Sequence, residues 1–334
     1  MAVVATGFFD GVHLGHRRVI QTLVSSAREK GEEAIVVTFV QHPRAVLQQD
    51  ARSLRLLNSP QEKEALLRSL GVDRVVALPF DRAFARLTAA EYIRDVLIGR
   101  FGATTLILGY DNRLGSDRLT PELITPLAES LGLEVEIVPP AAVAGMPSES
   151  LPPETPRFAR PHRSASLAVP PLTVPRVARF LEATPGMASI PAMAVSSTKI
   201  REALSIGDVE AAEAMLGYPY GLRGVVVGGK QLGRTIGFPT ANLRLYDPLK
   251  LVPARGVYLT EVEVVGGHSW GMTNVGDIIE THIFDFNEDI YGLDLEIRFR
   301  YWLRPMHGFD SLEALKMQLA ADESVCRALL GFPK

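Results

Sequence analysis

The residues best suited to chemistry stand near the start of the chain, in the stretch TGFFDGVHLGHRRVI (6–20). This stretch contains two histidines three residues apart, His13 and His16, among three glycines and an aspartate. Imidazole groups ligate metal ions, act as acids or bases, and donate hydrogen bonds to phosphate oxygens as charge develops on them. The opening motif is therefore compatible with a metal site, a catalytic pair or a phosphate site.

The neighbouring residues help to choose among these interpretations. A structural zinc site needs four ligands, usually including cysteine, and the one cysteine of the chain is distant at Cys326. Glycines at Gly7, Gly11 and Gly15 permit tight turns and close approach to a ligand. A helix that begins near His16 would direct unpaired N–H groups at an anion, which favours a nucleotide-phosphate site without a Walker GK[ST] sequence. The remaining alternative is that the histidines only satisfy local hydrogen bonds at a strand–helix turn.

Alternating strands and helices must position this motif. Over residues 1–138, five short apolar runs (2–6, 34–39, 74–78, 104–109 and 134–138) are separated by four helical patterns (17–30, 59–70, 89–98 and 121–131). Strands rich in β-branched residues and separated by helices predict an α/β, Rossmann-like domain whose parallel sheet is covered on both faces. Ligands bind such sheets at the carboxyl ends of the strands. The opening motif directly follows the first strand.

A proline-rich segment interrupts this pattern. Of the 23 prolines in the chain, 12 lie between Pro139 and Pro191, and proline removes backbone donors and is disfavoured inside helices. We expect a linker or long excursion over about 139–193, with a short helix near 174–182. The stretch 196–216 then predicts two helices joined by a turn at Gly207.

After Gly221 the period of the hydrophobic pattern becomes two, which is typical of strands. Several short strands with glycine or asparagine between them predict a small antiparallel barrel. The stretch 311–330 predicts an amphipathic helix packed against that barrel. We expect two domains, 1–216 and 217–334. In LEIRFRYWL (295–303) the alternation places five side chains on one face: Leu295, Ile297, Phe299, Tyr301 and Leu303.

Composition restricts the classes of function. The formal net charge of −3 offers no basic excess for a nucleic-acid backbone, and no apolar run approaches the ~18–20 residues that span a bilayer. A lone cysteine excludes an intramolecular disulfide and fits a reducing compartment. A strand within the first residues leaves no room for a signal peptide. We expect a cytoplasmic protein that binds neither nucleic acid nor membrane, and the sequence predicts no particular oligomer.

Seven motifs have counterparts, in the same order, in one known family. Four lie in the first domain: GFFDGVHLGH (7–16), VTFVQHP (37–43), LILGYDNRLG (106–115) and VSSTKIREAL (195–204). Three lie in the second domain: GRTIGFPTANL (233–243), ETHIFDF (280–286) and the helix FDSLEALKMQLAAD (309–322). Together they resemble the motifs of the bacterial bifunctional riboflavin kinase/FAD synthetases, whose nucleotidylyltransferase domain carries an HxGH sequence.

The resemblance implies that FMN is adenylylated to FAD by ATP in the first domain, with release of pyrophosphate. It implies that His13 and His16 stabilise the ATP phosphates during attack by the FMN phosphate. It also implies that the β and γ phosphates are held by Ser197, Thr198 and Arg201. Further nucleotide-binding residues implied are Gly7, Phe8, Asp10, Gly11 and Gly15, and the flavin-binding residues implied are His42, Asp111 and Asn112. For the two aspartates, capping a turn remains an equal alternative.

For the second domain the resemblance implies phosphorylation of riboflavin to FMN. Thr240 and Asn242 would hold Mg-ATP, because hydroxyl and amide oxygens are ligands that suit Mg²⁺ beside substrate phosphates. Gly233 and Arg234 would bind the same nucleotide, and Glu280 would act as the base on the riboflavin 5′-hydroxyl. Taken alone, Glu280 is equally compatible with a strand residue that faces solvent.

Two stretches depart from the family pattern. Only residues 277–279 separate Gly276 from Glu280, where the family usually has a longer connection that often contains RPTF, and YDNRLG (110–115) replaces an FRFG-like loop. Three functions therefore stay open. The leading one is a bifunctional enzyme, and the second is an FMN adenylyltransferase with a degenerate, flavin-binding kinase domain. The third is a non-catalytic flavin or nucleotide sensor, which would have no need of the transition-state groups of the first domain.

Overall fold

The computed structural model describes residues 1–42, 46, 55–143, 193–229, 232–264 and 267–331. Met1–Ala142 and Ala194–Lys334 form one unit of the fold, and Val143–Met193 forms another. The excursion predicted over 139–193 falls mainly on residues 144–192, and this part, with the helix predicted at 174–182, lies outside the described residues.

The first five strands form the predicted parallel sheet. They are β1 (Ala2–Thr6), β2 (Glu33–Phe39), β3 (Arg74–Leu78), β4 (Ala103–Gly109) and β5 (Glu134–Val138). All pair in parallel, in the order β3-β2-β1-β4-β5. Alternate residues of β1 enter two separate buried clusters, with Val4 in one and Val3 in the other. The prediction of a sheet covered on both faces is confirmed.

Among the described residues of this part of the chain, six helices follow, in addition to a short 3-10 helix at Phe84–Arg86. They are α1 (Leu14–Lys30), α2 (Pro60–Ser69), α3 (the successive segments Ala89–Glu91, Tyr92–Ile98 and Gly99–Phe101), α4 (Pro121–Ser130), α5 (Ser197–Ser205) and α6 (Val209–Leu216). Capping boxes at Ser59 and Thr88 begin α2 and α3. The middle of α3 is a π-helix, and its Tyr92 hydroxyl lies 2.7 Å from Thr6 Oγ1 at the end of β1. Among the described helices, none is both long and apolar enough to cross a membrane.

The predicted antiparallel barrel is also confirmed. After the two-residue strands β6 (Ala142–Val143) and β7 (Met193–Ala194), the barrel strands are β8 (Gly221–Val227), β9 (Ala241–Leu245), β10 (Gly256–Val264), β11 (Gly267–Val275), β12 (Ile279–Ile283) and β13 (Asp294–Arg304). They close in the order β10-β11-β12-β9-β8-β13. The helix α8 (Leu312–Leu329) follows as expected. A short helix, α7 (Leu232–Thr235), was not predicted because it lies in a glycine-rich stretch.

The alternation predicted for 295–303 was wrong beyond Phe299. The pairing of β13 with β10 shifts by one residue after Phe299, so that Phe299 and Tyr301 occupy successive pairs. Tyr301 and Leu303 pack in the cluster of Cys326 beneath α8, whereas Phe299 is fully buried against Tyr258. A bulge moves the residues that follow it to the other face of the strand, and a period-two pattern carries no signal for it.

Candidate functional sites

Most residues predicted for the first site line a single cleft beside the carboxyl ends of β1 and β4, called here the first cleft. They are Gly7, Phe8, Asp10, His13, Gly15, His16, His42, Asp111, Asn112, Ser197, Thr198 and Arg201. Several strands of the parallel sheet end at this edge, and the start of α5 lies against it. Motifs distant in the sequence therefore meet at one place.

His13 and His16 stack at the beginning of α1. Their ring centroids are 3.7 Å apart and their planes differ by 14°. His13 caps the helix, since its Nδ1 accepts a hydrogen bond from the backbone N–H of His16 at 3.3 Å. That acceptor role places the proton of a neutral His13 ring on Nε2. Two parallel rings cannot both direct lone pairs at one ion, so the geometry favours hydrogen bonding to a ligand over shared metal ligation.

Both imidazoles are neutral at neutral pH. Burial lowers the pKa of His13 to about 4. Burial also lowers the pKa of His16 well below its usual range, helped by the nearby His13 and the ammonium group of Lys63. The Nδ1 atom of His16 is buried, and no described group hydrogen-bonds it. The pair thus presents neutral, incompletely satisfied imidazole groups to the first cleft.

The neutral state of His13 predicts a pH-dependent stability. Its pKa is ~6.5 in the unfolded chain and about 4 in the folded protein, so the unfolded chain binds more protons between these values. The contribution is fully present above pH 6.5 and is lost as the pH falls toward 4, to a limit of roughly 3 kcal/mol. We expect His13→Asn, which can still cap α1, to flatten the dependence of the urea unfolding free energy on pH in this window. A slope as steep as that of the wild type would contradict the buried, neutral His13.

Asp10 serves to position other residues of the first cleft. Its carboxylate accepts hydrogen bonds from the backbone N–H groups of Leu57 at 3.0 Å and Asn58 at 3.3 Å, and it forms an ion pair with Arg201. Its backbone carbonyl accepts a hydrogen bond from Ser197 Oγ at 2.9 Å. Because Asp10 connects the opening motif to the start of α5, the structure favours a positioning role over ligand contact alone.

The residues predicted near the flavin stand on other sides of the first cleft. Asp111 is exposed on the turn after β4, and Asn112 donates to the carbonyl of Thr6 at 3.1 Å. The Asn112 bond ties the end of β4 to the end of β1. The His42 ring lies 4.4 Å from the Phe8 ring, measured between centroids. An aromatic pair and a polar turn therefore border the same space.

The structure separates Gly11 from the lining residues of this cleft. Its φ is +85°, and a Cβ added there would lie 2.8 Å from Leu57 Cδ1. Glycine is thus needed at position 11 for the path of the chain and its packing.

Sequence reasoning missed Lys63, which supports the opening motif from behind. Its ammonium group donates to the Phe8 carbonyl at 3.0 Å and to Thr38 Oγ1 at 3.1 Å, and lies 4.0 Å from the centroid of the Phe8 ring. Burial lowers the pKa of Lys63 to about 8. In the sequence PQEKEALLRS, a buried lysine of α2 looks the same as one on a surface helix, so no signal marked it.

Two pockets on the barrel both reach Thr240. The Arg234 pocket is lined by Arg234, Thr240, Thr281 and the residues 286–291, among others. The Glu280 pocket has Gly233, Thr240, Glu280 and His282 beside apolar side chains that include Ile236, Phe238, Met272 and Leu319. A pocket lined by Arg234 and by the carboxylates of Glu288 and Asp289 thus lies next to an apolar pocket that contains Glu280, and the Thr240 hydroxyl borders both.

Asn242 lies behind these pockets and contacts Glu280. The two residues pair across β9 and β12. With its amide nitrogen toward Glu280, Asn242 donates to Glu280 Oε1 at 3.1 Å, and its oxygen accepts from the backbone N–H of Gly229 at 3.3 Å. Asn242 thus holds Glu280, and Glu280 and Thr240 line the same pocket, so an amide, a carboxylate and a hydroxyl group occur on this part of the barrel. These are the ligand types that Mg²⁺ binds in proteins.

The connection between β11 and β12 is a tight turn. The backbone N–H of Gly276 donates to the carbonyl of Ile278 at 3.1 Å. Part of the lining of the Glu280 pocket comes from Met306, His307 and Phe309, which follow β13. The short connection predicted from the sequence is present, and the segment after β13 contributes a wall of the pocket.

Comparison with known proteins gives matches over almost the whole chain. The FAD synthetase family model matches residues 1–150, and the riboflavin kinase family model matches residues 216–330. A bifunctional riboflavin kinase/FMN adenylyltransferase of Listeria monocytogenes is 31% identical over 98% of this chain and 92% of its own length. The protein of the same name from Escherichia coli (strain K12) is 31% identical over 99% and 94%. A solved structure named macrolide-efflux protein, from Streptococcus pneumoniae, has a TM-score of 0.77 and 32% identity over 98% of this chain and 93% of that chain.

Proposed function

The chain belongs to the family of bifunctional riboflavin kinase/FMN adenylyltransferases, and from this premise we propose that it catalyses both reactions. Riboflavin and ATP would give FMN and ADP, and FMN and ATP would give FAD and pyrophosphate. The observation that carries the proposal is that each matched range contributes to its own polar site: residues of 1–150 form most of the lining of the first cleft, and residues of 216–330 line the Glu280 pocket and its neighbour. The retained grouping of Glu280 with Asn242 argues against a degenerate kinase domain.

We assign adenylyl transfer to 1–216 and riboflavin phosphorylation to 217–334. Helix α6 ends at Leu216 and the barrel begins with β8 at Gly221, which supports a boundary between these residues. The flavin side of the first cleft would be formed by His42, Asp111 and Asn112, which line the same cleft as the stacked histidines.

Adenylyl transfer at the first cleft needs positioning and charge neutralisation more than a covalent nucleophile. A phosphate oxygen of FMN forms a bond to the α-phosphorus of ATP, and the bond from that phosphorus to the bridging oxygen of pyrophosphate breaks. The neutral rings of His13 and His16 donate hydrogen bonds to the oxygens on which charge accumulates. Ser197, Thr198 and Arg201 stabilise the departing pyrophosphate at the start of α5, where backbone N–H groups add positive potential.

Riboflavin phosphorylation needs an acceptor hydroxyl beside the terminal phosphate of ATP. The apolar Glu280 pocket suits the flavin ring, and Arg234 in the neighbouring pocket supplies a cation for the phosphates, with Thr240 in the lining of both and Gly233 in that of the Glu280 pocket. Glu280 accepts the proton of the 5′-hydroxyl as its oxygen attacks the γ-phosphorus. Thr240 and Asn242 would hold Mg²⁺, which supplies charge neutralisation at the transferring phosphate when bound.

The test of the proposed function is the product pattern of the pure protein. Incubation with Mg-ATP and riboflavin should give FMN and then FAD, and incubation with Mg-ATP and FMN should give FAD. Chromatographic separation of the flavins reports each product. FAD formed from FMN with no consumption of riboflavin would favour the monofunctional adenylyltransferase. Conversion of neither flavin would favour a non-catalytic sensor.

We expect Gly229→Ala to impair riboflavin phosphorylation selectively. A Cβ at position 229 would lie 1.9 Å from the terminal amide atom of Asn242 that faces Gly229, so the amide must leave its place beside Glu280. A displacement of about an ångström at a reacting group lowers the rate by roughly 10–100-fold. The adjacent Gly228→Ala is the matched control, because its Cβ would meet nothing within 4 Å. Equal kinase rates for the two variants would remove Asn242 from the positioning of Glu280.

A further inference from the structure

A segment of the barrel domain is hydrogen-bonded to residues that contact the lining of the first cleft. The backbone N–H of Leu56 donates to the carbonyl of Leu249 at 2.8 Å, and the N–H of Leu251 donates to the carbonyl of Leu56 at 2.8 Å. Leu56 and Lys250 thus form a parallel bridge between the two parts of the chain. The 55–59 segment, which precedes α2, is held on this side by the loop between β9 and β10.

Lys250 adds a buried charge to this junction. Its side chain is 5% exposed, and its ammonium group donates to the carbonyl of Leu57 at 2.8 Å and to Glu62 Oε2 at 2.5 Å. The same ammonium lies 4.7 Å from the centroid of the Tyr220 ring. A buried ammonium is costly unless its hydrogen bonds are satisfied, so the positions of Leu57 and Glu62 are linked to that of Lys250.

The 55–59 segment links Lys250 to Asp10, which lines the first cleft. Glu62 Oε2 also accepts from the backbone N–H of Ser59 at 3.0 Å, which closes the cap of α2. On the opposite side of the segment, the N–H groups of Leu57 and Asn58 donate to the carboxylate of Asp10. Asp10 in turn forms an ion pair with Arg201, and both residues line the cleft.

Arg201 is fixed by the same segment a second time. Its Nε donates to the carbonyl of Arg55 at 3.0 Å, in addition to its ion pair with Asp10. Helix α5, which carries Arg201, is also held at its other end, because the backbone N–H of Ala254 donates to the carbonyl of Leu204 at 2.8 Å. The loop between β9 and β10 therefore contacts both supports of the guanidinium group.

We propose that Lys250, a residue of the riboflavin kinase domain, is a positioning residue for adenylyl transfer in the first cleft. It fixes the 55–59 segment through Leu57 and Glu62, and this segment holds Asp10, which with the Arg55 carbonyl orients Arg201 toward the pyrophosphate of ATP. The proposal rests on the placement of adenylyl transfer in the first cleft. It adds that the first domain needs the barrel domain for an accurate site.

The test compares both activities of full-length variants. We expect Lys250→Met to lower the kcat of FMN adenylylation by about 10–100-fold, and to raise the KM for pyrophosphate in the reverse reaction more than the KM for FAD. Phosphorylation of riboflavin should stay within about twofold of the wild type, since the Glu280 pocket does not include Lys250. Lys316→Met, on the exposed face of α8, is the matched control and should match the wild type in both assays.

A double-mutant cycle with Glu62→Gln separates positioning from general stability. If the ion pair positions the segment, Glu62→Gln should lower adenylylation in the same direction, and the double variant should be no slower than Lys250→Met alone. An unchanged adenylylation rate in Lys250→Met overturns the proposal. Multiplying effects in the double variant also overturn it, because they show that the two side chains act independently.

Two further results keep the test decisive. If Lys250→Met loses both activities through misfolding, Glu62→Gln decides, since its loss of adenylylation alone supports the proposal and a wild-type rate overturns it. The variant His16→Ala separates the proposal from its premise. Retention of adenylylation in His16→Ala would place the reaction outside the first cleft, whatever the behaviour of Lys250→Met.

Discussion

Replacing His16 by alanine is expected to lower FMN adenylylation by at least ~10²–10³-fold, the usual effect of removing one hydrogen-bond donor to a developing charge. The riboflavin kinase rate of the same variant should remain that of the wild type, because His16 lines only the first cleft among the three pockets described. The half-buried ring stacks on His13, so its loss removes both a donor to the phosphate and a support for the second donor. Initial rates of FAD formation from FMN and of FMN formation from riboflavin measure the two effects on one sample.

The control for this variant is His268→Ala. His268 is exposed on β11 and lies outside the lining of both sites, so both rates should be unchanged. A parallel loss of both activities in a folded His16→Ala protein would contradict two separate sites. A melting temperature close to that of the wild type establishes that the protein is folded.

Glu280→Gln is expected to slow phosphorylation of riboflavin by ~10²–10⁴-fold, the range for one acid–base group. Glutamine keeps the shape of the side chain and an oxygen toward Asn242, so the change removes the base while it preserves the contact at 3.1 Å. The KM for ATP should change little, because Glu280 lines the apolar pocket and Arg234 lines its neighbour. Adenylylation of FMN is the internal control for the amount of active protein.

Two results would contradict this role. Rapid phosphorylation by Glu280→Gln would remove Glu280 from the mechanism. Equal rates near background for Glu280→Gln and the wild type would instead mean that the kinase domain is degenerate, as the short turn at Gly276 allowed. Glu313→Gln, an exposed change at the start of α8, reports any effect of altered charge alone.

The fold was predictable because its signals are local. Continuous apolar runs marked β1, β2 and β4, and the helical pattern predicted over 59–70 corresponds to α2, which begins at a capping box of Ser59 and Glu62. The turn at Gly207 and the helices on either side were equally clear from the sequence. The bulge after Phe299 and the short helix α7 were not predictable, since pairing register and tertiary contacts decide both.

The first cleft was predictable where functional residues are grouped in motifs. His13, His16 and Ser197 each lie in such a group, and the cleft brings them together. The supports of these groups were hidden, because Lys63 and Lys250 are ordinary lysines in the sequence and become buried only in the fold. Long-range contacts between polar side chains leave no periodic pattern.

Burial of the single cysteine makes the protein well suited to site-specific chemical labelling. Cys326 is fully buried in the cluster beneath α8, and burial raises the pKa of its thiol to about 12. Alkylating reagents react with the thiolate, so this group stays inert at neutral pH while the protein is folded. A cysteine introduced at an exposed position such as Lys316 would then carry a fluorophore or spin label alone, with no need to remove the native thiol.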